Sequence, residues 1–208
     1  MSPDRYDLDQ AYEINGPEDA RRLYGDWAQT YDESFGAGWG YIAPREIAGV
    51  LKTAISPDAE ILDIGAGTGL VAENLRGLTV DALDITPEML NVARAKGLYR
   101  NLVQGDLTKM LDIADASYDA VISCGTFTHG HVGPECFPEL LRITRPGALF
   151  VCGTIAPVLD GAGFGSALAR LVAAGRILPV NFRDIPIYEG AAHPHKDDRG
   201  LVMVFQKV

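Results

Sequence analysis

The residues of this chain best suited to chemistry begin in the run Ile61-Leu62-Asp63-Ile64-Gly65-Ala66-Gly67-Thr68-Gly69-Leu70-Val71. An apolar, strand-like stretch leads into three glycines at alternate positions. Such a turn lets the main chain approach a bound molecule closely, because no Cβ intervenes and positive φ is accessible. Three alternate glycines exceed what a plain strand-to-helix connection requires. A turn built for a pyrophosphate has the spacing G-x-G-x-x-G and would carry its third glycine at position 70, where this chain has Leu70. Asp63 places a carboxylate at the end of the strand, which disfavours a phosphate and favours a cationic ligand.

A second acid, Asp84, closes the run Val80-Asp81-Ala82-Leu83-Asp84, 19 positions after Gly65. In nucleotide-binding α/β units an acid at about this separation accepts hydrogen bonds from ribose hydroxyls, and a carboxylate accepts two at once. The plainer alternative is the N-cap of the helix that Pro87 opens. With a nucleoside at Asp84, Ile85 and Met89 would flank it, methionine being adaptable against an aromatic ring. Gly105-Asp106-Leu107 follows the next strand-like run, and taken alone Asp106 reads as a solvated turn acid. The strand ending at Cys124 and Gly125 feeds a loop containing His129 and His131. Neutral imidazole is available near pH 7, so both histidines are candidate general bases, a role worth about 10²–10⁴ in rate; the alternative is a loop or capping role. His193 and His195 sit in a polar loop further on.

These groups need a scaffold that gathers strand ends. Strand-like runs occupy 60–64, 79–84, 98–104, 118–124 and 148–154, and helical ones 70–76, 87–96, 135–143 and 166–174. This alternation predicts a parallel sheet with helices on both faces, and ligands bind such sheets past the carboxyl ends of the strands. Runs at 184–188 and 201–207 break the rhythm and predict an antiparallel hairpin at the sheet edge. Helical patterns at 17–35 and 44–55 flank a glycine-rich break at 36–40, with Pro17, Glu18 and Asp19 suited to a first turn. Tyr24, Trp27 and Tyr31 share one helical face, either as a core stripe or as a lid over the site. Phe35, Trp39, Tyr41, Phe127 and Phe164 could line an apolar pocket or fill the core.

With 208 residues the simplest organisation is one domain, 1–208, with 17–42 as an N-terminal lid segment. A formal net charge of -10 argues against unaided binding to nucleic acid or to an anionic membrane surface. Three cysteines without a C-x-x-C pair point to neither a disulfide framework nor a zinc site, and to a reduced, cytoplasmic setting. The opening residues Met1-Ser2-Pro3-Asp4-Arg5 lack the apolar core of a signal peptide. Oligomeric state leaves no trace in the sequence.

The D-x-G-x-G-x-G run from Asp63 to Gly69 resembles the first motif of class I (Rossmann-like) methyltransferases that use S-adenosylmethionine (SAM). The Y-x-x-W-A-x-x-Y-D pattern from Tyr24 to Asp32 is similar to that of many small members of this class. More narrowly, these segments together with Ile61–Leu75, Pro87–Leu90, Gly97–Tyr99, Tyr118–Ile122, Pro138–Leu140 and Arg145–Gly147 resemble the methyltransferase-like proteins named after the Williams–Beuren syndrome region. The resemblance spans roughly residues 20–155. It implies an α/β fold with a seven-stranded, mostly parallel sheet, helices on both faces and a C-terminal antiparallel hairpin. It also implies methyl transfer from SAM to a small-molecule acceptor, with S-adenosylhomocysteine as product.

By the same resemblance, Asp63, Gly65, Ala66, Gly67 and Gly69 would cradle the methionine part of SAM. Asp84, Ile85 and Met89 would hold the ribose and nucleoside, and Gly105, Asp106 and Leu107 the adenine. Cys124 would border cofactor and acceptor, with Trp27 and Tyr31 closing over them. His129 and His131 are no part of the resemblance and inherit no role from it. A non-catalytic SAM-binding module is the main alternative. An NAD-dependent oxidoreductase is disfavoured by Leu70 and by the absence of a Tyr-x-x-x-Lys pair. No metal site is expected.

Overall fold

The computed structural model describes residues 14, 16–128, 131–190 and 193–208. Its centre is one sheet of seven strands in the order β3-β2-β1-β4-β5-β7-β6. The strands are β1 (Glu60–Ile64), β2 (Thr79–Asp84), β3 (Leu102–Gln104), β4 (Tyr118–Phe127), β5 (Thr144–Thr154), β6 (Asn181–Pro186) and β7 (Arg199–Gln206). The pairs among β1 to β5 are parallel, whereas β7 runs antiparallel to both β5 and β6. The expected C-terminal hairpin therefore forms, with β7 inserted between β5 and the edge strand β6.

Central strands such as Ile61-Leu62-Asp63-Ile64 are buried on both faces because helices cover both sides. One face packs Leu62, Val121 and Phe150 against Phe137, Leu140 and Phe164. These come from α4 (Phe137–Ile143) and α6 (Phe164–Ala173), which follows a short α5 (Ala156–Gly161). The other face packs Ile61, Ala120 and Val151 against Ile47 and Leu51 of α2 (Ala43–Lys52). Between β2 and β3 lies α3 (Pro87–Lys96), started by Pro87 and ended by Gly97 in the left-handed conformation.

Several expectations are corrected. The helix expected at 70–76 is a single 3₁₀ turn, Ala72–Asn74. Asn74 turns its amide inward, Nδ2 donating to the Leu70 carbonyl at 3.0 Å, and its backbone N–H bonds back only three residues, to Val71. The segment is too short to nucleate a longer helix. The third strand shrinks to Leu102–Gln104 because Arg100 and Asn101 are committed to Asp81. The helix expected at 17–35 is α1 (Pro17–Trp27), a turn, and a π-helical segment, Asp32–Ala37. There Ser34 Oγ donates to the Thr30 carbonyl at 2.7 Å while accepting from Trp27 Nε1 at 2.8 Å, a back-bonded serine of the kind that bends helices. Phe127 and Phe164 are fully buried in the core and line neither of the two clefts described below.

Candidate functional site

The loops after β1, β2 and β3 and the end of β4 converge at the carboxyl edge of the sheet. They wall a cleft of about 960 Å³ including its open mouth, within the range typical of small-molecule sites. The glycine turn forms its floor. Gly65 has φ +63°, and a Cβ there would lie 2.0 Å from Thr126 Oγ1, which is itself bonded to the Ile64 carbonyl. Both backbone geometry and space therefore exclude a side chain at this position. At Ser123–Phe127 the pairing of β4 with β5 slips its register. The bulge includes Gly125 at φ +88° and turns Cys124, Gly125 and Thr126 toward the cleft.

Two carboxylates lie at this edge. Asp84 lines the cleft, its Oδ2 accepting the Gly67 N–H at 2.7 Å and its Oδ1 the Thr86 N–H at 2.8 Å. It thus ties the glycine turn to the end of β2. Burial raises its pKa, and those N–H groups offset the rise only in part. Asp63 lies beneath the turn, fully buried, with Oδ2 accepting the Tyr99 hydroxyl at 2.7 Å. Its Oδ1 is the single buried side-chain polar atom without a hydrogen-bond partner among the described residues. Burial, only partly countered by Tyr99 and reinforced by Asp84, pushes Asp63 up to about 7.

Ile85, Met89, Gly105, Asp106 and Leu107 also line this cleft, as do Ala66 and Gly67. Asp106 is anchored by Thr108, whose N–H and hydroxyl both donate to its Oδ1 at 2.9 and 2.7 Å. Among the described lining residues the only charged side chains are Asp84 and Asp106, and no lysine or arginine is present. Gly69 stays outside the lining, and a Cβ there would crowd the Tyr99 ring at 3.1 Å.

A second, more apolar cleft adjoins the first, sharing Tyr24, Tyr31, Tyr41, Cys124, Gly125 and His131 with it. Trp27, expected beside the cofactor, lines only this second cleft. Its ring stands edge-on to Tyr31, centroids 4.9 Å apart, within a cluster that also holds Phe35, Trp39 and Tyr188. The Cys124 thiol lies 3.1 Å from the Tyr41 hydroxyl, and burial pushes it up to about 12, so it remains protonated and unreactive at neutral pH.

His131 borders both clefts, whereas His129 lies outside the described residues. Its Nδ1 is 2.6 Å from the Thr128 carbonyl. A carbonyl only accepts, so Nδ1 carries the proton of the neutral ring and Nε2 the lone pair, which accepts from the Tyr24 hydroxyl at 3.1 Å. His193 packs on Trp39 and Tyr188 and lines neither cleft.

Tyr24, expected on a lid or core face, and Tyr41, expected in a pocket or the core, line both clefts. Sequence reasoning missed Thr68, whose hydroxyl donates to Asp32 at 2.5 Å. Asp32 also pairs with Lys96 at 2.6 Å, so the π-helical segment is latched to the glycine turn. The D-x-G-x-G-x-G pattern covered position 68 without revealing this bond.

The methyltransferase domain family matches residues 62–152, the stretch that holds the glycine turn, Asp84, Asp106 and Cys124. This segment is a methyltransferase domain. The chain is 38% identical over 147 residues to human methyltransferase-like protein 27, a match covering 66% of this chain and 59% of that protein. It is 34% identical over 102 residues to malonyl-[acyl-carrier protein] O-methyltransferase of Serratia marcescens, covering 48% and 40%. The matches therefore span about half the length of these relatives. Among solved structures it superposes on 1,6-didemethyltoxoflavin-N1-methyltransferase of Burkholderia thailandensis, determined with bound 1,6-didemethyltoxoflavin and S-adenosylhomocysteine. The TM-score is 0.62 at 22% identity, covering 92% of this chain and 89% of that one. The seven-stranded sheet with its reversed β7 is the class I methyltransferase fold. Among the described residues no helix is long and apolar enough to cross a membrane.

Proposed function

We propose that this chain is a SAM-dependent methyltransferase acting on a small-molecule acceptor. The observation that carries this reading is the orphaned Asp63 Oδ1, buried beneath the glycine turn that floors a cleft whose charged lining is acidic only. Such a site suits a ligand that carries an ammonium and a sulfonium and no phosphate. In this reading Gly65, Ala66 and Gly67, with Asp63 beneath them, hold its amino-acid part. Asp84, Ile85 and Met89 hold the ribose side, and Gly105, Asp106 and Leu107 hold the adenine.

The bound cofactor supplies a methyl group already activated on sulfur, so the protein's task is placement and exclusion of water. Residues 17–42 serve as the lid, with Tyr31 between the two clefts and the Asp32 latch closing it onto the glycine turn. His131 serves as general base: the Thr128 carbonyl fixes its tautomer, and the acceptor's hydroxyl takes the place of the Tyr24 hydroxyl at the Nε2 lone pair. The three free thiols support a reducing, cytoplasmic setting.

The test is isothermal titration with S-adenosylhomocysteine, with NAD as control. Micromolar binding of the former, weakened at least 100-fold in Asp84→Ala, is the expected result. Absent binding, or tighter binding of NAD, overturns the reading.

A further inference from the structure

The second cleft differs from the first in one respect that bears on its occupant. Its described lining residues include no aspartate, glutamate, lysine or arginine. Its walls are aromatic and aliphatic, chiefly Trp27, Phe35, Tyr41, Ile155, Ile187 and Tyr188. The polar side chains are uncharged hydroxyls, one thiol and one imidazole, and several are already committed. The Tyr41 hydroxyl meets Cys124 Sγ, and Thr154 Oγ1 donates to the Phe127 carbonyl at 2.8 Å. Five polar side chains lie at the junction with the first cleft, Tyr24, Tyr31, Tyr41, Cys124 and His131, and two of them bear on an acceptor. One is His131, whose Nε2 carries a lone pair. The other is the Tyr31 hydroxyl, which lines both clefts and is given no hydrogen bond by the described residues.

These features select among acceptors. An amine is an ammonium at neutral pH and would enter this cleft without a carboxylate to pair it, and a carboxylic acid would enter without a lysine or arginine. Burying either unpaired charge is heavily penalised. A phenolic hydroxyl is neutral, and its acidity (pKa about 10, as in tyrosine) lies within a few units of imidazole at about 6.5, close enough for base assistance. An aromatic ring also suits walls whose rings already meet edge-on or tilted, as Phe35 and Tyr41 do at 4.7 Å.

We propose that the acceptor is an uncharged aromatic compound bearing a phenol-type hydroxyl, held in the second cleft with that hydroxyl between Tyr31 and His131. This rests on the first cleft being the cofactor site. In the reaction the acceptor oxygen forms a bond to the methyl carbon while the carbon–sulfur bond breaks, its electron pair staying on sulfur. The hydroxyl proton passes to His131 Nε2, in place of the Tyr24 hydroxyl, and from there to solvent. The products are an aryl methyl ether and S-adenosylhomocysteine.

Both tryptophans of the chain belong to the aromatic cluster on this cleft, so intrinsic fluorescence reads its occupancy without any turnover. The probes are 2-naphthol, naphthalene-2-carboxylate and naphthalene-2-methylamine, titrated at saturating S-adenosylhomocysteine. The expected result is 2-naphthol binding at least tenfold tighter than either charged analogue. Equal or tighter binding of a charged analogue, or no binding of 2-naphthol, overturns the proposal. A charge-swap variant sharpens the test. Ile155 is the extended N-cap of α5, a position that aspartate fills well, so Ile155→Asp should fold while placing a carboxylate in the cleft. It should reverse the preference toward the ammonium probe and leave S-adenosylhomocysteine binding unchanged; unaltered selectivity with that binding intact overturns the assignment. S-adenosylhomocysteine is titrated separately, so its failure to bind marks the loss of the cofactor reading, and the naphthyl series without it still judges the cleft.

Discussion

Asp81 and Asp63 stand on neighbouring strands of one sheet, a single residue apart in register, and both are buried. Their surroundings are opposite. Asp81 receives Arg100 through Nε and Nη2 at 2.9 and 2.8 Å, Asn101 through its backbone and side-chain nitrogens at 3.1 Å each, and the Tyr118 hydroxyl at 3.0 Å. Burial alone would raise its pKa, but Arg100 and Tyr118 overcome that and hold it below the usual carboxylate range. Arg100 continues to Glu60, which Arg145 links to Asp119, so the acids on this side of the sheet are cross-braced. Asp63 receives one hydroxyl and keeps one oxygen bare. A buried acid that the fold satisfies serves the architecture. On the proposed reading, the buried acid that the fold leaves short is the one that answers a bound cation.

The comparison breaks most visibly at Asp81. Asp81→Ala strands the Tyr118 hydroxyl and uncouples Arg100, and should cost about 3 kcal/mol in urea unfolding at pH 7. Its affinity for S-adenosylhomocysteine should stay within about twofold of the parent by calorimetry. Because the Asp81 pKa is lowered on folding, its contribution is present above the unfolded value of about 4 and fades as pH falls below it. The deficit of the variant should therefore shrink in acid. Loss of cofactor affinity in this variant would erase the distinction between the two acids.

Asp63 should behave with the opposite sign. Its folded pKa of about 7 lies above the unfolded value of about 4, so the stability it contributes is complete below about pH 4 and lost as pH rises through 7. Asp63→Asn should remove this slope and melt roughly 5 °C above the unliganded parent at pH 8. SAM affinity runs the other way. A cation prefers the ionised acid, so the parent should bind SAM several-fold tighter at pH 8 than at pH 6, and the variant should not. Thermal melts and titrations at the two pH values check both, and a variant that melts with the parent at pH 8 sinks the account.

The smallest effect is expected at the latch. Asp32 is partly exposed and meets Thr68 and Lys96. Asp32→Asn should weaken S-adenosylhomocysteine binding about threefold, the scale of a partly solvated ion pair. An unchanged affinity would separate the π-helical segment from the cofactor cleft.

The first cleft was far more legible in the sequence than the second. Its parts sit at strand ends within one continuous α/β stretch, so apolar runs, glycine spacing and the Gly65–Asp84 separation locate Asp84, Gly105 and Cys124 together. The second cleft draws on residues remote in the chain. Tyr41 pairs with Tyr188 through an isolated bridge, and Gly200 and Leu201 come from the inserted β7. No local pattern announces such contacts. The same holds for Trp27, whose place in the second cleft goes with its bond to Ser34 at the kink. Phe127 and Phe164 look like pocket aromatics by type and prove to be core, because type does not tell which face of the bulged strand or of α6 points inward. The failed helix at 70–76 was lost to one side-chain amide competing for a backbone carbonyl.

The strand order also sets a schedule for the molecule's birth. β6 touches the sheet only through β7, and β7 follows every other strand in the chain. A ribosome thus delivers the glycine turn and its acids well before the strand that carries Gly200 and Leu201. The wall that would select the acceptor is the last to be assembled, and until it arrives β5 presents a bare strand edge to whatever lies nearby.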